Sequence, residues 1–287
     1  MDSNTHFTDQ TIAIVGLGLM GGSFAHRFHA LGCHVIGLNR TKSVAETAKN
    51  LHLVDSIEEG DLKKADIVIF CTPAEATLAF IRDHLDLFKE GAVLTDIAGV
   101  KKDFSRRIRT FIRKDLDFVS GHPMCGREGA GLFQSDGGIF QNANYILIPE
   151  EGNTEEHLKL IENMAYALGC SHVAIVSAEE HDRAIAYTSD LTHVLATALI
   201  NSDSFHGNTK YFTGGSFRDM TRIADINAWL WRELFLANRE KLLDEIDRFS
   251  SALSEIREAL DEKDGERIEA FLDKAGQRKR AMKNGNG

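Results

Sequence analysis

The chain has 287 residues, 43% of them hydrophobic and 26% charged, with a formal net charge of −10. That length and balance describe a soluble globular protein with one large or two smaller cores and exclude a fibrous or disordered chain. A net negative surface argues against nucleic acid and anionic membranes as partners, so an anionic substrate requires local cations.

In chain order, Thr11 to Val15 (TIAIV) is an apolar strand ending in glycine, followed by a helical pattern to Ala30. His34 to Leu38 is a second strand and Lys42 to Asn50 a second helix; Asp66 to Cys71 is a third strand, with a helix from Glu75 to His84. Ala92 to Asp96, Asp117 to Ser120 and Asn144 to Ile148 read as three more strands. Repeated strand–helix units of this length build a parallel sheet with helices on both faces. After Pro149 comes a polar stretch, Glu150 to Thr154, and then helices take over: 155–168, 178–204, 228–260 and 264–282, with one short strand-like run at 173–176. All three prolines lie in the first half, which suits long helices in the second. The expected division is an α/β domain over 1–152 and an all-α domain over 153–287. The basic run Arg278, Lys279, Arg280 and Lys283 reads as a solvated, frayed tail. Cys33, Cys71, Cys125 and Cys170 form neither a C-x-x-C pair nor a disulfide framework, so no metal site is expected. With no charged-then-apolar leader and no bilayer-length apolar stretch, the expected location is the cytoplasm.

Gly16-Leu-Gly18-Leu19-Met20-Gly21 is a G-x-G-x-x-G loop between a strand and a helix. Gly16 permits the tight turn, Gly18 lets a pyrophosphate approach the backbone, and Gly21 lets the helix pack closely. The first half is therefore expected to be a Rossmann-type dinucleotide-binding domain. The second strand runs into Asn39-Arg40-Thr41 rather than Asp or Glu. With no carboxylate to repel a 2′-phosphate and Arg40 to pair with it, NADP is favoured over NAD. The other strand ends, Thr72-Pro73, Asp96 to Lys101 and Gly121 to Met124, are expected to converge on the same cleft. His122, between glycine and proline, is the first candidate for acid–base work.

Four segments carry a resemblance. Gly121-His-Pro-Met-Cys-Gly-Arg-Glu128 resembles the GHP-x-x-G-x-E signature of the prephenate dehydrogenase family, and Thr95 to Lys101 its T-D-x-x-S-x-K segment. His181-Asp182 with Ser189 to His193 resembles its HD…S-x-L-x-H helix, and Gly214 to Ala224 its GG-x-[FY]-[RK]-D-x-TR-[IV]-A segment. The resemblance implies a dinucleotide domain and a helical domain that forms a homodimer, with the active site between them. It implies oxidative decarboxylation of prephenate to 4-hydroxyphenylpyruvate with NAD(P) on the route to tyrosine, or of arogenate directly to tyrosine. It casts His122 as proton acceptor, Arg222 as carboxylate clamp and His193 as a pocket residue, with Arg218, Lys101 and Ser189 near the substrate. His181 and Asp182 read as packing or capping residues. Three positions depart from the pattern. Gly99 stands where the family often has serine, Arg127 where a smaller polar residue is common, and Asp190 where some relatives carry histidine. Arg127 is a candidate cation for the substrate or the cofactor, and a carboxylate at 190 points to an ammonium-bearing substrate such as arogenate. The alternatives are a 3-hydroxy acid dehydrogenase, whose G-x-x-x-N-x-x-K setting is not found at 160–210, and a dinucleotide-sensing module without catalysis.

Overall fold

The computed structural model describes residues 7, 9–127, 129–203 and 207–284. Strand β1 (Thr11–Val15) sends Ile12 and Ile14 into one core and Ala13 and Val15 into another. A strand buried on both faces reads as an unbroken apolar run, which is why this one is conspicuous in the sequence. It lies between β2 (His34–Leu38) and β3 (Ile67–Phe70); β4 (Val93–Asp96) and the two-residue β5 (Asp117–Phe118) follow, and all five are parallel, in the order β2-β1-β3-β4-β5. Helices α1 (Leu19–Ala30), α2 (Lys42–Asn50), α3 (Ala74–Asp83) and α4 (Lys102–Arg109) connect them.

The parallel run ends there, one strand earlier than expected. Strand β6 (Ser120–Met124) lies antiparallel on β7 (Asn144–Ile148), and β8 (His172–Ile175) lies parallel to β7, forming a separate three-stranded sheet. His122 is thus inside β6, opposite Ile146, rather than beyond a strand's end. Pro123 is tolerated because β6 is an edge strand.

Helix α5 (Glu155–Leu168) buries Ile161, Met164, Ala165 and Leu168 in the core that holds Ile12 and Ile14. The first unit therefore runs through β8 to about residue 176, and the division expected at 152 is corrected. The polar stretch at 150–154 is a tight turn. Asn153 Nδ2 donates to Asp117 Oδ1 (2.6 Å), and Thr154 caps α5 by accepting from His157 N–H (3.2 Å).

Helix α6 (Ala178–Ile185) starts at a capping box of Ser177 and Glu180. A π-helical turn at Ala186–Asp190 joins it to α7 (Leu191–Asn201) without a break. Helix α8 (Gly215–Thr221) passes into a 3₁₀ turn at Arg222–Ala224. The expected helix at 228–260 is two, α9 (Ala228–Ala237) and α10 (Arg239–Asp261), meeting at Asn238. Helix α11 (Gly265–Asn284) carries the basic run, so that run is helical rather than frayed. Few residues of this half are buried, while Leu199, Ile200, Met220, Trp229, Leu243, Leu253 and Leu260 stand exposed. Among the described residues no helix is long and apolar enough to cross a membrane.

Candidate active site

The glycine loop has the shape a dinucleotide requires. Gly16 has φ +98°, and a Cβ there would meet Thr72 Cγ2 at 2.7 Å and Cys71 O at 2.8 Å. A Cβ on Gly21 would fall 1.7 Å from Gly16 O, whereas one on Gly18 would meet nothing within 4 Å. Two glycines thus close the turn and the third leaves open space at the start of α1, where Gly18, Leu19 and Met20 present the free end of the helix to an anion. Asn39 anchors the loop. Its Oδ1 accepts from Leu17 N–H (3.0 Å) and its Nδ2 donates to Thr41 O (3.1 Å). Arg40 and Thr41 are exposed beside it. Thr72 Oγ1 is bonded to Thr77 Oγ1 at 2.7 Å, and Pro73 precedes α3.

Two residues expected in the cleft are turned away from it. Asp96 is buried. Its Oδ2 accepts from Lys101 Nζ (2.6 Å) and Ala98 N–H (2.8 Å), and its Oδ1 from Ser120 Oγ (2.8 Å). Lys101 is fully buried, and its Nζ also donates to Gly121 O at 2.6 Å. Neither side chain is open to a ligand, so Asp96 as a cofactor contact and Lys101 as a substrate cation are corrected. The pair instead holds the backbone immediately before His122. Gly121 is there because Tyr145 packs on it; a Cβ would lie 2.1 Å from Tyr145 Oη.

His122 is joined by two residues that sequence reasoning treated as packing. His122 Nδ1 lies 2.9 Å from His181 Nε2, and His181 Nδ1 lies 2.8 Å from Asp182 Oδ1. Asp182 also accepts from the N–H groups of Lys101 (2.9 Å) and Lys102 (3.0 Å), so its carboxylate caps α4. A carboxylate accepts, so His181 carries its proton on Nδ1 and offers a lone pair on Nε2. His122 must then donate from Nδ1, which leaves Nε2 as its free basic atom. Burial first, then the charge of Lys101 and the neighbouring His181 ring, hold His122 well below the usual histidine value. The imidazole stays neutral through the physiological range. The HD pair in the sequence was the signal for His181, but it gave no partner.

A second cluster surrounds His193 on α7. Its Nδ1 donates to Ser189 O (2.9 Å), and its ring stacks on Trp231 with centroids 3.6 Å apart. Ser189, half-buried in the π turn, contributes this carbonyl. Burial lowers the His193 pKa, the Ser189 bond opposes that, and the charge of Arg222 lowers it further, which puts Arg222 close by. Arg218 is exposed on α8. Helix α9 lays Trp231 on His193 and Leu234 against Gly99, where a Cβ would meet Leu234 Cδ2 at 3.1 Å.

Arg127 does not join either cluster. Its guanidinium holds its own loop, on Gln134 O and on Asp136 Oδ2 at 3.5 Å. Glu128 lies outside the described residues. Asp190 is buried and bonded to Asn238 Nδ2 (2.8 Å), so it does not face a substrate and gives no preference for an ammonium group. The described residues include no cluster able to hold a metal.

Residues 24–174 match the family model for the nucleotide-binding domain of prephenate dehydrogenase, and residues 177–274 that for its dimerisation domain. The chain belongs to the prephenate dehydrogenase family. The two matches divide where β8 ends. A prephenate dehydrogenase of Bacillus subtilis (strain 168) is 30% identical over 270 residues, 90% of this chain and 72% of its own. The structure of A. aeolicus prephenate dehydrogenase in complex with hydroxyphenyl propionate and NAD+ superposes with a TM-score of 0.86 at 26% identity, covering 95% of this chain and 98% of that one. Synechocystis arogenate dehydrogenase gives 0.81 at 26% identity, over 94% and 99% of the two chains. This family member is thus a nicotinamide-dinucleotide-dependent dehydrogenase whose exposed helical half is a dimerisation domain.

Proposed function

We propose that the protein oxidises and decarboxylates prephenate to 4-hydroxyphenylpyruvate, with NADP preferred over NAD. The observation that carries this reading is the His122–His181–Asp182 chain, which fixes one tautomer of His122 and leaves Nε2 free. Nε2 takes the proton of the C4 hydroxyl. The bound dinucleotide supplies the hydride acceptor. Loss of CO2 from C1 then restores aromaticity and draws the reaction forward. The imidazolium formed on His122 leans on His181 and, through it, on the Asp182 carboxylate. Arg222, beside His193, offers two parallel donors to a carboxylate, and Arg218 adds a second cation. The glycine loop and the start of α1 hold the pyrophosphate. Arg40, with no acid beside it, pairs with a 2′-phosphate. Four free cysteines support a reducing compartment, the cytoplasm.

The test is a matrix of prephenate and arogenate against NADP and NAD. Prephenate with NADP is expected to give the highest kcat/KM; arogenate as the better substrate would reverse the substrate assignment. His122→Asn is expected to lower kcat by about 10²–10⁴-fold while dinucleotide affinity stays the same. The acid limb of kcat/KM is expected below pH ~6.5, because His122 remains unprotonated under conditions that charge an ordinary histidine.

A further inference from the structure

Asn238 joins α6, the π turn and the α9–α10 junction through one side chain. It is 3% exposed, at the junction of α9 and α10. Its Nδ2 donates to Asp182 O on α6 (2.8 Å) and to Asp190 Oδ2 at the end of the π turn (2.8 Å). The main-chain oxygen can only accept, so the amide nitrogen must face it, and both N–H bonds are used. The residue whose carbonyl is held is the one whose side chain orients His181. The residue whose carboxylate is held closes the turn that leads to His193.

We infer that Asn238 is a positioning residue, a buried amide clamp that sets α6 and the π turn against α9 and so presents His181 to His122. The inference rests on the reading of His122 as the base, but the geometry it predicts can be measured separately. An alanine at 238 leaves the Asp190 carboxylate buried without this donor and the Asp182 carbonyl with the Ala186 N–H alone. Desolvation already raises the Asp190 pKa to about 6, against the pull of the Asn238 bond, and Asp182 adds to the rise. Losing the bond favours protonation of Asp190 and release of the turn. The charged groups nearby are Asp182 on α6, Lys101 and Lys102 at the start of α4, and Arg239, Glu240 and Lys241 on α10. Those facing His122 itself are Lys101 and His181.

The experiment compares wild type, Asn238→Ala and Asn238→Asp as full-length protein, each shown to be folded by its thermal transition. Nitrogen-15 NMR follows the titration of the His122 ring, assigned with His122→Asn. In Asn238→Ala the His122 midpoint is expected to rise toward the ordinary value of about 6.5, as His181 moves and water enters. kcat is expected to fall about 10–100-fold, with the dinucleotide KM within about twofold of wild type. In Asn238→Asp two buried carboxylates face each other, and a proton shared between them replaces one lost donor. That variant is expected to regain activity relative to Asn238→Ala as pH falls from neutrality toward 5.5. A His122 midpoint unmoved in a folded Asn238→Ala overturns the proposal, as does an Asn238→Asp profile parallel to that of alanine. A shifted midpoint with unchanged kcat supports the clamp and counts instead against His122 as the base. If alanine does not fold, Asn238→Ser, which keeps one donor, carries the same measurement.

Discussion

Arg40 stands exposed at the end of β2, next to an asparagine already committed to the glycine loop through Leu17. The division of labour is chemical: the amide shapes the loop, and the exposed guanidinium is the group proposed to meet a 2′-phosphate. Arg40→Asp is expected to weaken NADP binding by about tenfold or more while changing NAD binding much less, since it replaces an attractive charge with a repulsive one. Isothermal titration with both dinucleotides checks this, and equal losses would refute the preference. The turn at the glycine loop was legible in the sequence from its spacing, and His122 and Arg40 stood out as candidates through a rigid backbone and a missing acid. Lys101 and Asp96 were misread for a physical reason. Strand ends face ligands on average, but these two neutralise one another in the interior, and a buried pair of this kind costs about 3–5 kcal/mol if one partner is removed. Nothing local to either residue marks it as the other's partner. Asn238 gave no signal at all, since a buried amide in a helical stretch becomes readable only when its acceptors are known.

The π turn between α6 and α7 changes which residues share a face. His181 and His193 are twelve residues apart. On a regular α-helix that separation leaves them roughly 120° apart around the axis, and one extra residue in a wide turn brings this to about 20°. The turn thus aligns two histidines that a regular helix would separate. Deleting the exposed Thr188 is expected to convert the turn to α-helix and swing α7 by roughly 100°. Turnover should then collapse, while the unit ending at β8 still binds dinucleotide; fluorescence titration and steady-state rates separate the two, and retained kcat would disprove the alignment. Helical patterning in 178–201 was plain from the sequence, but a single wide turn leaves the apolar periodicity almost intact. The reversal of β6 was equally hidden, because alternation along a strand carries no information about the direction of its neighbour. The boundary at 152 failed for a related reason, since a polar turn and a linker have the same composition.

The two halves differ in how they are stabilised. Residues up to 176 close around two cores, while the helices beyond expose Leu199, Ile200, Trp229, Leu243, Leu253 and Leu260. The apparent Tm is therefore expected to rise with protein concentration, by a few degrees per tenfold, because subunit association binds only the folded form. Calorimetry over a hundredfold range tests this, and a constant Tm would count against a dimer-stabilised fold. The dimerisation match fits the same exposed surface, which the sequence pointed to only through the family resemblance and not through its own periodicity. A lone copy carries an open greasy surface until it meets a mate. Pairing is second order in concentration, so dilution lengthens that wait in proportion, and thin solutions are where the protein is expected to lose itself to aggregation first.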